Sequence, residues 1–259
     1  MQIIGVDFTS TPSRRKPITV AIGELDGSRL SIQSEVRIND WLEFETFLSR
    51  PGPWFGGFDL PFSQSRTFIE NSGMPTEWEA FIDQLPADRA AWRQQLDGYK
   101  RERLPGDRQH LRATDRQCNS CSPQMQYGVP IALMFWEGVQ RLRQADVRCL
   151  PMQTPGERTA IEAYPGAVMD LLIGERKYKS DTRRKQTGCH RCNRERAVRA
   201  IQTENPFGIT VNGGDFAAMV DDPTGDTLDA ALCALQAAYA YQNGFPDSID
   251  LLEGWIPLP

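Results

Sequence analysis

Gln2-Ile3-Ile4-Gly5-Val6-Asp7 is a run of apolar and β-branched residues closed by an acid, in a chain of 259 residues. Residues 2–8 read as a buried strand, and a carboxylate closing such a strand needs a partner or solvent. The pattern recurs. Asp59 closes the apolar stretch Trp54–Phe58, and Glu162 ends Ala160–Ile161. Asp226 and Asp229 then open a long amphipathic segment as Asp-x-x-Asp. Carboxylates at strand ends, with a pair at a helix start, suit convergence on a divalent metal.

Working outward, Ile18–Leu25 and Leu30–Ile38 alternate as the next two strands. Asp26-Gly27 joins them as a hairpin signal. Asn39 or Asp40 caps a short helix carrying Trp41, Leu42, Phe44, Phe47 and Leu48, and Pro51-Gly52-Pro53 stops it. Residues 54–58 return as a fourth strand. Residues 62–116 read as mostly helical: Trp78, Phe81, Ile82 and Leu85 share one helical face, and Trp92, Leu96 and Tyr99 another. An apolar helix follows over 131–143, then a fifth strand at Arg158–Glu162 and a helix over 167–173. Further helices are expected over 191–201 and 226–242. The result is one α/β domain over 1–259, with a helical insertion at about 62–130 after the fourth strand.

Composition is ordinary for a globular protein, with 24% charged and 40% hydrophobic residues. No apolar run approaches the roughly 20 residues of a membrane helix, and no basic-then-apolar leader is visible, so a cytoplasmic protein without a membrane partner is expected. The net charge of −5 hides a strong asymmetry. Arg176–Arg199 holds ten Lys or Arg against two acids, whereas residues 200–259 hold nine acids and no Lys, Arg or His. An acidic metal site beside a basic track is what a polyanion-cleaving enzyme needs. A solvated basic helix beside an acidic tail is the simpler alternative.

Two divalent ions about 4 Å apart activate water and stabilise the leaving oxygen of a phosphodiester. Magnesium or manganese takes oxygen ligands, and acids three residues apart on a helix share one face. Each acid also has a plainer role open to it. Asp226 can be an N-cap and Asp229 a first-turn acid favoured by the helix dipole. Asp59, before Leu60-Pro61, can anchor an Asx turn.

IIGVDFTSTPSRRKPI from Ile3, GGFDLPF from Gly56, RATDRQ from Arg112, IEAYPGA from Ile161, KYKSDTRRKQT from Lys177 and GDTLDAALCALQAAYAY from Gly225 lie in order along the chain. With EGWI near the end, they resemble a family of unknown function usually described as RNase H-like nucleases. The resemblance implies an RNase H-like fold: a five-stranded mixed sheet flanked by helices, its first three strands antiparallel. It also implies metal-binding acids on the first strand, the fourth strand and the last helix, which are the positions of Asp7, Asp59 and Asp229, with Asp226 beside them. The acid pair on the last helix looks more like the Holliday-junction resolvases than RNase H itself. Glu162 falls in the family's own motif as a further catalytic candidate. Arg112 and Asp115 fall in another, as an ion pair or as site residues.

Cys118-x-x-Cys121 and Cys189-x-x-Cys192 are two close thiol pairs, and four thiolates in tetrahedral array suit structural zinc. His110 and His190 are substitute ligands; adventitious thiols are the alternative. In the basic segment, Tyr178 is placed to stack on a base while Lys179, Arg183, Arg184 and Lys185 meet phosphates. The expected function is a magnesium- or manganese-dependent nuclease acting on a nucleic acid. Two alternatives stand beside it: a non-catalytic nucleic-acid-binding protein of the same fold, and an actin- or sugar-kinase-like phosphotransferase. The last requires two related domains and Gly-rich phosphate loops, and the loop after Asp7 has no glycine.

Overall fold

The buried run opening the chain forms β1 (Gln2–Asp7), the central strand of a seven-stranded mixed sheet. The computed structural model describes all residues but Asp181, and Arg183 by its backbone alone. β1 pairs antiparallel with β2 (Ile18–Asp26), which pairs antiparallel with β3 (Arg29–Ile38). Gly27, at φ +51°, makes the turn between them. Asp40 caps α1 (Trp41–Leu48), its side chain accepting from the Glu43 amide. The chain then re-enters the sheet as β4 (Trp54–Phe58), parallel to β1 on its other side. β6 (Arg158–Glu162) runs parallel to β4.

These five strands are the expected ones, and they lie side by side. The sheet is nonetheless wider than expected: β5 (Arg148–Leu150) adds an edge beside β6, and β7 (Thr210–Gly213) adds the other beside β3. Strands of three and four residues are too short for alternation to reveal.

The pleat sorts the core into two layers. Ile4, Val6, Trp54 and Phe58 face the helices before β5: α1, α2 (Arg66–Asn71), α3 (Trp78–Asp83), α4 (Arg89–Arg101) and α6 (Ile131–Gln144). Ile3, Phe55 and Ile161 face the later ones: α7 (Pro165–Ile173), α8 (Gly188–Gln202), α9 (Phe216–Asp221) and α10 (Asp226–Asn243). The helical insertion is tied down by its tryptophans. The Trp78 indole donates to the Phe62 carbonyl and the Trp92 indole to the Ala132 carbonyl, each at 2.9 Å.

Two helix starts lie upstream of their expected positions for local reasons. α7 begins at Pro165, whose fixed φ suits a first helical turn. α8 begins at Gly188 because Thr187 caps it through the His190 amide. A short α5 (Ala113–Gln117) is held by the chain's end: the Glu253 carboxylate accepts from the amides of Arg66 and Ala113, both at 2.8 Å. Among the described residues the strands form one sheet.

Candidate active site

Two glycines determine where the acids meet. Gly5 and Gly57 pair directly across β1 and β4, and both lie beneath α10. A Cβ on Gly5 would stand 2.0 Å from the Ala230 carbonyl oxygen, and one on Gly57 would stand 2.3 Å from that of Cys233. With no side chain at either position, the helix rests directly on the strand backbones. Asp7 and Asp59 lie two residues beyond these glycines, hence on the same face. The Asp59 amide continues the ladder by donating to Val6 at 2.9 Å. The first turn of α10 brings Asp226 and Asp229 to the same place, at the carboxyl ends of parallel strands where open α/β sheets bind ligands.

Mutual electrostatics show how close the four are. Burial raises the Asp7 carboxyl well above its ordinary value; Lys179 opposes this, and Asp229, Asp226 and Asp59 add to it. Burial raises Asp59 to about 7, opposed by Lys179 and reinforced by Asp229 and Glu162. Asp226 and Asp229 are raised by burial as well. Asp229 is fully buried.

The cation among them is Lys179, whose ammonium pairs with Asp229 Oδ2 while the Tyr178 hydroxyl donates to Asp229 Oδ1. Burial works against the ammonium, yet Asp229, Tyr178, Asp7 and Asp59 together raise its pKa. Sequence reasoning put Lys179 on a phosphate-binding track and Tyr178 on a base. In the structure Tyr178 is buried, and Lys179 is a counter-ion inside the acid cluster. The Lys179 stem lies against Gly225, at φ +79°, where a Cβ would come within 2.9 Å of it.

Capping of α10 falls to a residue the sequence did not single out. Asp222 accepts from the Thr224 and Thr227 amides at 2.9 and 3.1 Å, and these bonds hold its carboxyl below the ordinary range despite burial. Gly225 occupies the N-cap position, so Asp226 is not the cap.

Glu162 ends β6 beside Asp59, but its oxygens are committed. Arg112 donates to both, at 2.7 and 2.5 Å, and the Phe62 amide adds 3.1 Å. Asp115 accepts from the same guanidinium at 2.8 and 3.0 Å. All three side chains are buried, so Arg112 and Asp115 form an ion pair that includes Glu162.

Much of the basic segment is used internally. Arg176 binds Asp170 and the Cys118 and Asn119 carbonyls. Arg191 pairs with Asp221 and Glu195, and buried Arg194 holds the Val220 and Tyr178 carbonyls at 2.8 and 2.6 Å. Arg184 and Lys185 are exposed on a 3₁₀ turn, Arg183–Lys185; the Arg183 side chain lies outside the described residues. The zinc expectation also lacks its geometry. Cys118 is buried, with burial pushing its thiol up to about 12, while Cys121, Cys189 and Cys192 are exposed. Among the described residues no three or more His, Cys, Asp or Glu side chains stand ready around a common ion, the four cysteines included.

The aspartates are subject to the same statement, and one of them, Asp229, is paired with the Lys179 ammonium. Their chemistry still fits a hard cation. Four desolvated carboxylates face one ammonium, and oxygen donors in excess negative charge are what magnesium and manganese accept.

A cavity of about 270 Å³ opens beside the cluster, with Asp59 and Lys179 in its wall. Among the described residues no helix is long and apolar enough to cross a membrane. No curated protein and no solved structure matches the chain. A family model described as Protein of unknown function (DUF429) does match, over residues 5–249, and the chain belongs to that family.

Proposed function

We propose that this protein is a divalent-metal-dependent nuclease, hydrolysing phosphodiester bonds at the carboxyl ends of β1 and β4. One observation carries the reading: Asp7, Asp59, Asp226 and Asp229, from two strands and the last long helix, share one electrostatically coupled site in which Asp226 and Asp229 are buried and Asp7 and Asp59 half-buried. An RNase H-like core is the finer reading of the fold. Five adjacent strands, the first three antiparallel, with acids on the first strand, the fourth strand and the last helix, support it.

Magnesium or manganese would be held by the four aspartates. When bound, such ions polarise the phosphodiester and make water a nucleophile near neutral pH. The chain's own residues do the rest. Gly5 and Gly57 fix the helix-borne acids over the strand-borne ones. Tyr178 orients Asp229 through its hydroxyl. Lys179 holds compensating charge and, once Asp229 takes another counter-ion, carries an ammonium able to meet a phosphate oxygen. Arg112 fixes Glu162 at the edge of the site and opposes the rise that burial imposes on its carboxyl.

The test is cleavage of end-labelled single-stranded DNA, duplex DNA, RNA, hybrid and four-way junction in magnesium or manganese. Cleavage should vanish with chelator and fall at least about 100-fold in Asp7→Asn and Asp229→Asn, since even residues that merely support metal ligands cost 10–100-fold when replaced. Tight binding without metal-dependent cleavage of any of these would instead favour the non-catalytic nucleic-acid-binding protein.

A further inference from the structure

The cavity beside the acids has a chemistry of its own. Leu60, Met125, Ile131 and Met134 give it apolar walls, Tyr164 adds an aromatic ring, and Val129, 54% exposed, stands at its mouth. The Arg112 guanidinium at its edge is already shared between Asp115 and Glu162, two carboxylates for one cation. An anionic ligand therefore gains nothing by entering. A neutral, flat, polarisable group does, because thioethers and a tyrosine ring make favourable contacts with aromatic faces.

Size narrows the choice. Drug-sized ligands occupy clefts of about 300–1,000 Å³, so about 270 Å³ admits one ring system. Position narrows it further: Asp59 and Lys179 belong both to the wall of the cavity and to the acid cluster. A ring seated here has its attached phosphate beside Lys179. Of the basic segment, Arg176, Lys179 and Arg194 are committed to partners within the protein, while Lys177, Arg184, Lys185, Arg191, Arg196 and Arg199 are exposed.

From this we infer that the cavity is a subsite for one unpaired nucleobase, so that the preferred substrate presents a single-stranded or extruded nucleotide to the acids. The inference rests on the nuclease reading for its phosphodiester and adds the recognition of the base. Base–aromatic stacking with apolar flanks tolerates any base, which makes the subsite selective for an unpaired state more than for sequence.

Fluorescence anisotropy of labelled single-stranded hexanucleotides tests it, with calcium in place of magnesium. The intact strand should bind about tenfold more tightly than the same strand made abasic, in line with stacking on a protein platform. It should also bind more tightly than a blunt duplex of its sequence. Val129→Trp, which blocks the mouth from an exposed position, should bring the intact-to-abasic ratio close to one while leaving thermal stability and manganese titration unchanged. Equal affinity for intact and abasic strands in the unaltered protein overturns the subsite, as does a ratio that survives Val129→Trp in a folded variant. Metal-dependent cleavage without base preference would spare the nuclease reading and sink the subsite. Base preference without cleavage would do the reverse.

Discussion

Glu162 and Asp59 close neighbouring parallel strands, yet they are treated in opposite ways. Glu162 receives two guanidinium nitrogens from Arg112 and a backbone amide, and the pair is sealed from solvent. Asp59 is as much a strand-end acid, but its opposing charge is one lysine ammonium already bound to Asp229. A planar, rigid guanidinium locks its carboxylates in place, whereas an ammonium on a flexible stem is a counter-ion that can be exchanged. The difference separates an acid held by a matched cation from acids that share a single ammonium.

The largest effect expected from breaking this comparison is at Arg112. Arg112→Met leaves Glu162 and Asp115 buried without a cation and should destabilise the protein by about 3–5 kcal/mol in denaturant unfolding. A triple variant with Glu162 and Asp115 also made apolar should recover much of that loss. If Arg112→Met alone is neutral, the triad is not the fixed half of the contrast.

Next comes pH. The Asp59 carboxyl is raised from 3.8 to about 7 in the folded state. Its contribution to stability is therefore complete below about 3.8 and is lost as pH rises through about 7. The ceiling on that loss is about 4 kcal/mol. Metal-free protein should weaken between pH 4 and 8, and Asp59→Asn should flatten the curve across that window. Parallel curves for the two proteins would show that Asp59 is not under-compensated.

Lys179→Met should cost less, about 1–2 kcal/mol without metal, because the lysine is more than a third exposed and water screens it. Added manganese should raise the melting temperature of this variant more than that of the unaltered protein. Smallest is the exposed 3₁₀ turn. Reversing Arg184 and Lys185 to Glu should leave stability within about 0.5 kcal/mol and weaken nucleic-acid binding modestly, with a shallower salt dependence.

Much of the strand framework was legible because long buried runs have an unambiguous period. Asp7 was conspicuous as an acid ending such a run, and the start of α10 stood out through its paired acids. What periodicity could not show were contacts set by the tertiary fold. Gly5 and Gly57 look like ordinary glycines until a helix lies on them. Lys179 and Tyr178 sit in a basic stretch whose charge count predicts a solvent-facing track, but the chain turns both inward. Asp222 lies four residues ahead of the helix it caps, outside the usual capping register. β5 and β7 were too short to register.

The most direct test of the central claim is a calorimetric manganese titration at pH 8 of the unaltered protein and of Asp7→Asn, Asp59→Asn, Asp226→Asn and Asp229→Asn, each checked for folding. The account predicts saturable binding with proton release, weakened at least about tenfold in each variant. No binding to the unaltered protein, or affinity unchanged in the folded variants, would contradict it.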